Sequence, residues 1–149
     1  MKLVKRLDIL FPLTGLLLCV PFLLLGDQAL DIAIHDTYII IAYAHIGILF
    51  FLIHTLYGLI YFLIRKNQNY KLGIWHLLLQ TPLFIYFIPQ AYRFFSMAGV
   101  TRRYYTTDPY PTLQIFASIA IVAVFLFIIG HIVFLINIIS SIVKAIKAG

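Results

Sequence analysis

Residues Thr112 to Val143 read TLQIFASIAIVAVFLFIIGHIVFLINIISSIV, without one Asp, Glu, Lys or Arg. A helix of that length outreaches a bilayer hydrocarbon core of about 30 Å, and its composition suits lipid rather than water. Three further apolar runs precede it, Ile9 to Leu25, Tyr38 to Ile64 and Gly73 to Phe95. In lipid each segment must satisfy its own backbone N–H and C=O groups, so all four are expected as helices despite the β-propensity of their Ile and Val. The expected fold is an all-α membrane protein, a single membrane domain over residues 1–149 with four transmembrane helices. The first run is the weakest of the four. It has 17 residues against about 20 for a full span, and it carries Pro12 and Pro21. Preceded by Lys2, Lys5 and Arg6, it also fits a secretory signal peptide, but Gly26-Asp27-Gln28-Ala29 lacks a good small-x-small cleavage pattern. A retained helix is therefore expected.

Composition agrees with this reading. The chain is 63% apolar and 11% charged, against about 25% charged in soluble domains, and no tract is low in complexity or repeated. A soluble globular domain, a nucleic-acid-binding protein and a disordered tail are excluded. The net charge of +6 is spread over short connecting segments, where basic residues set topology and meet lipid headgroups. Cys19 is alone and lies within an apolar run, so it forms neither an internal disulfide nor a thiolate metal cage. All five acidic residues are aspartates.

Charge asymmetry orients the bundle. The N-terminus, the segment with Arg65, Lys66 and Lys71, and the tail with Lys144 and Lys147 fall on one side, which the positive-inside rule makes cytoplasmic. Both termini are thus expected in the cytoplasm. The first external loop holds Asp27, Asp31 and Asp36 and no base. The second external loop breaks the trend, with Arg93, Arg102 and Arg103 against Asp108. A lipid phosphate or a cofactor carboxylate would suit those guanidinium groups.

The histidines divide by depth. His35 lies at the external mouth of the second run, and His45 about 10 Å inward from Tyr38. His54 lies roughly 180° round the helix from His45 and, with His76 and His131, falls toward the cytoplasmic end. Ionisable groups in lipid are functional candidates by default, and neutral imidazoles bonding neighbouring helices are the plainer alternative. Together the three inner histidines could also ligate a second heme or a metal. Gln80 reads as an interhelical hydrogen-bond partner, and Trp75, Tyr70, Tyr104, Tyr105 and Tyr110 as interfacial anchors.

The stretch Leu30-Asp31-Ile32-Ala33-Ile34-His35-Asp36-Thr37-Tyr38, followed by Ala42-Tyr43-Ala44-His45, resembles the region of the tenth helix in heme–copper oxidase subunit I. In that family an HDTY run precedes a helix carrying a His-x-His pair. Ile88-Pro89-Gln90, Arg102-Arg103-Tyr104, Asp108 and Tyr110 are similar to the family's Pro-Gln and Arg-Arg-Tyr segments and to the aspartate and tyrosine after them. The resemblance covers nearly the whole chain and corresponds to the family's last four helices. It implies that His45 matches the low-spin heme ligand and that Arg102 and Arg103 hold heme propionates. It also implies that His35 and Asp36 lie near the propionates and a non-redox magnesium.

The departures limit what the resemblance carries. Tyr43 stands where the family has its high-spin heme ligand, and the interval from Pro-Gln to Arg-Arg-Tyr is two residues longer. The helices bearing the copper ligands and the other low-spin ligand have no counterpart. No copper is expected, and oxygen reduction by this chain alone is excluded. The implied function is a heme-binding or electron-transfer subunit of a respiratory complex in the bacterial inner membrane or an equivalent membrane. A second axial ligand would come from a partner subunit or from a second copy. Small residues at Ala42, Ala44 and Gly47 would let a macrocycle or a helix approach. The alternative is a heme-free scaffold or assembly subunit that keeps the helices for docking.

Overall fold

A computed structural model describes residues 6–25, 29–34, 37–98 and 111–148. The order is α1 (Leu7–Leu23), β1 (Ala29–Ile34), β2 (Thr37–Ala42), α2 (Tyr43–Ile64), α3 (Tyr70–Ala98) and α4 (Pro111–Ala148). Among the described residues the regular structure is thus helical apart from one antiparallel pair, in which Ala29 faces Ala42 and Ile34 faces Thr37. Among the described residues three helices are long and apolar enough to cross a membrane, and α1, at 17 residues, is shorter.

The strand pair corrects the second apolar run, expected as helix from Tyr38 onward. Tyr38 to Ala42 belong to β2, and helix begins at Tyr43 after an extended Ala42 (φ −62°, ψ 137°). Ile39-Ile40-Ile41 prolongs the apolar run without prolonging the helix. Three consecutive β-branched residues favour the pleated strand, and β1 supplies the backbone partners that a strand requires. The remaining boundaries shift by a few residues. The runs placed at 9–25, 73–95 and 112–143 fold as α1, α3 and α4, and α4 extends five residues past Val143.

The packing is that of a bundle turned toward lipid. Leu17, Leu63 and Phe125 lie on the outside, whereas His54, His76, Gln80, Asn137 and Ser141 are buried. Polar groups gather inside because lipid offers them no hydrogen-bond partner. α1 packs along α2, and α3 along α4. On α4 the inward residues Ala123, Phe127, Gly130, Phe134, Asn137 and Ser141 alternate spacings of four and three, the seam of a left-handed helix pair. On α2 the buried series is Tyr43, Gly47, Phe50, His54, Gly58 and Tyr61.

Glycines bring α1 and α2 close. A β-carbon on Gly47 would come within 2.7 Å of Phe22 Cβ, and one on Gly58 within 2.6 Å of Pro12 Cδ. The interior has two apolar clusters. Leu18, Phe22, Leu25, Tyr43, Phe50 and Phe84 fill the end next to the strands, and Leu7, Phe11, Tyr61, Leu77 and Phe134 fill the end where α2 turns into α3.

Candidate functional site

Of the residues expected to hold heme, the structure describes one, His45. His35, Asp36, Arg102 and Arg103 lie outside the described residues. His45 is the third residue of α2 and lies on its exposed face. It is therefore about 3 Å from the helix start, not the 10 Å implied by a helix from Tyr38. Tyr43 is buried in the cluster beside the strands. Two residues of helix turn the chain through about 200°, so a buried Tyr43 places His45 outward. Gly47, expected to let a macrocycle or a neighbouring helix approach, is packed by a helix, with Phe22 and Cys19 of α1 against it.

The other three histidines meet inside the bundle, toward the turn between α2 and α3. His76 and His131 lie at one level, ring centroids 5.7 Å apart. His54 sits deeper, near the middle of α2 and not at the end assigned to it. Phe11 of α1 lies between, 6.4 Å from the His54 ring and 5.1 Å from the His76 ring. His76 stacks on Phe134 at 4.6 Å, and His54 meets the edge of Phe84 at 4.7 Å.

Hydrogen bonds define the protonation pattern. His131 Nδ1 lies 2.8 Å from the Phe127 carbonyl, which can only accept, so this nitrogen carries a hydrogen. In a neutral ring with that tautomer Nε2 is a bare lone pair, and the Tyr57 hydroxyl, 2.5 Å away across the helix interface, is its donor. His54 repeats the first half of the pattern, its Nδ1 donating to the Phe50 carbonyl at 2.8 Å. Its Nε2 is buried without a partner among the described residues. His76 Nδ1 pairs with the Tyr61 hydroxyl at 3.2 Å, and its Nε2 is also unpartnered there. Gln80 is buried one turn further along α3. It lies beside His76 on the same helix, and neither amide atom has a hydrogen-bond partner of good geometry among the described residues. The expected interhelical bond from Gln80 is thus not found among the described residues.

Below this cluster Asn137 closes the turn. Its Oδ1 accepts from the Asn69 backbone N–H at 2.9 Å, and its Nδ2 donates to the Asn69 carbonyl at 3.0 Å. A doubly bonded side chain on α4 therefore pins the segment from which α3 departs. Tyr57, Tyr61 and Asn137 were not singled out from the sequence. The spacing of His54, Tyr57 and Tyr61, three and then four residues, was the available signal, since it sets all three on one helix face.

Among the described residues no three His, Cys or Asp side chains converge as a metal site. The inner histidines are enclosed by Phe11, Phe84, Phe127 and Phe134. His45, by contrast, lies outside this enclosure, exposed on the first turn of α2. Comparison of the chain with protein-family models, curated proteins and solved structures gave no match.

Proposed function

We propose that the chain is a four-span membrane subunit of a respiratory assembly, with both termini cytoplasmic, which presents His45 as one axial ligand to a low-spin heme held against a partner. The outward position of His45 in the first turn of α2 carries this reading. An imidazole turned away from its own bundle is usable by a group shared between chains. The resemblance to heme–copper oxidase subunit I supplies the rest of the clamp through His35, Asp36, Arg102 and Arg103. When bound, such a heme would supply one-electron transfer, with its potential set by ligand identity and burial. The chain's own contribution would be orientation of His45 and charge compensation by the two arginines.

The test is a reduced-minus-oxidised visible spectrum, with a heme-to-protein ratio, on the chain purified gently from heme-replete membranes. Sharp low-spin bands at about one heme per chain or per pair, abolished by His45→Ala, are the expected result. Heme retained in His45→Ala and lost in His54→Ala or His131→Ala would overturn the assignment.

One observation favours a second reading, a heme-free docking subunit. Gly47, the small residue beside His45, is already occupied by helix packing. A folded, helical chain without heme bands would select it.

A further inference from the structure

The start of α1 and the turn after α2 enclose an open cleft of about 480 Å³, lined by Arg6, Asp8, Arg65, Lys66 and Gln68. Three cations face one carboxylate, which leaves two positive charges uncompensated. Arg6 holds Asp8 side-on, through Nε at 3.0 Å and Nη2 at 2.9 Å, and Nη1 makes no bond among the described residues. The Arg65 guanidinium lies over the Phe62 ring at 4.8 Å, and neither Arg65 nor Lys66 has an ion-pair partner among the described residues.

Two features distinguish this cleft from scattered surface bases. Its floor is pre-formed. Asn67 N–H and Gln68 N–H both donate to the Ile64 carbonyl at 3.0 Å, and Asn137 holds Asn69 in place. It also contains a buried polar atom without a partner among the described residues, Gln68 Oε1. A side-chain amide presents either its carbonyl or its NH2 according to its neighbours. With its NH2 turned inward, Gln68 donates to an anion lying between the cations.

We propose that this cleft binds a phosphate group, whether a lipid headgroup phosphodiester or a soluble phosphate compound. Arg65 and Lys66 supply the charge, Arg6 Nη1 and Gln68 supply donors, and Asp8 sets the orientation of Arg6. Planar guanidinium and phosphate match geometrically, and the surplus of two charges suits a phosphate better than a single carboxylate. Exposed Phe62, directly under Arg65, provides apolar surface for an acyl chain beside the headgroup. The proposal is independent of heme.

The test uses the full chain, first in detergent titrated with inorganic phosphate or short-chain phosphatidylglycerol. It is then placed in nanodiscs containing phosphatidylcholine with or without phosphatidylglycerol, and bound lipid is read by native mass spectrometry. Removing two surface cations with Arg65→Ala/Lys66→Ala should weaken binding about 30-fold, against less than about twofold for Lys144→Ala/Lys147→Ala, which removes the same charge from the α4 tail. Asp8→Asn removes the opposing charge and should tighten binding about fivefold, a gain that misfolding cannot imitate. Selective retention of phosphatidylglycerol assigns the site to lipid headgroups, and saturable inorganic phosphate binding without lipid preference assigns it to soluble phosphates. No saturable binding of either probe, or equal losses in the two double variants, overturns the proposal.

Discussion

Tyr57 and His131 make the sharpest polar contact in the bundle, and its direction is dictated by the tautomer. With His131 Nδ1 committed to the Phe127 carbonyl, a neutral imidazole can only accept at Nε2, and Tyr57 then donates. Tyr57→Phe leaves that lone pair unsatisfied, as does the loss of His131 for the hydroxyl. A double-mutant cycle with Tyr57→Phe and His131→Phe, read by unfolding in mixed micelles, should give a coupling of about 0.6–1.7 kcal/mol, the range for interhelical bonds in membranes. Gln80 should behave in the opposite way. Its amide is buried without a good partner, so Gln80→Leu of similar volume should be neutral or stabilise by up to about 2 kcal/mol. Marked destabilisation by Gln80→Leu would mean that the amide has a partner, such as an internal water.

At the scale of elements, the close approach of α1 and α2 rests on backbone contact, and the glycines differ in what opposes them. A β-carbon on Gly58 meets the ring of Pro12 and the Asp8 carbonyl, both fixed. A β-carbon on Gly73 meets only the branched end of Leu7, which can rotate away, and one on Gly130 approaches Leu79 Cβ at 3.2 Å. Gly58→Ala should therefore cost about 1–3 kcal/mol, with Gly73→Ala and Gly130→Ala clearly below it. Thermal unfolding of the three variants side by side checks the order. The same interface shows what was legible beforehand. Lipid forces apolar runs into helices, so α1, α3 and α4 could be placed from hydropathy to within a few residues, or five at the end of α4. The strand β2 could not, because Tyr38-Ile39-Ile40-Ile41 is as apolar as the helix that follows, and only pairing with β1 decides its conformation. That one misplaced boundary carried the depth of His45 and of His54 with it. The polar interior was legible as residue types but not as pairs, since Tyr57–His131 and Asn69–Asn137 join positions 74 and 68 residues apart. The phosphate cleft was hidden for the same reason, because Arg6 and Lys66 come together only through packing.

For the whole molecule the open question is how the bundle lies across a membrane, and α1 is the element that tests it. At 17 residues it reaches only about 26 Å, less than the hydrocarbon core. It nevertheless lies antiparallel along α2, with Phe22 against Gly47 and Pro12 against Gly58, so it must cross wherever α2 crosses. The segment 65–69, the start of α1 and the end of α4 lie at one end, as the Arg6–Lys66 cleft and the Asn69–Asn137 bonds require. The strand pair lies at the other. Cys19 is buried against α2 and should stay unlabelled, so single cysteines can be read on the native background. Lys66→Cys and Lys147→Cys should react with a membrane-impermeant maleimide from the cytoplasmic side only, and Ile40→Cys, on the exposed β2, from the opposite side only. Labelling of Lys66→Cys and Ile40→Cys from the same side would mean that α2 does not cross. It would also remove the basis for placing His45 and the phosphate cleft on opposite faces of the membrane. If the expected pattern is found, the outward His45 belongs to the face carrying the acidic first loop. The cationic cleft then belongs to the face where anionic headgroups and soluble phosphates are both available.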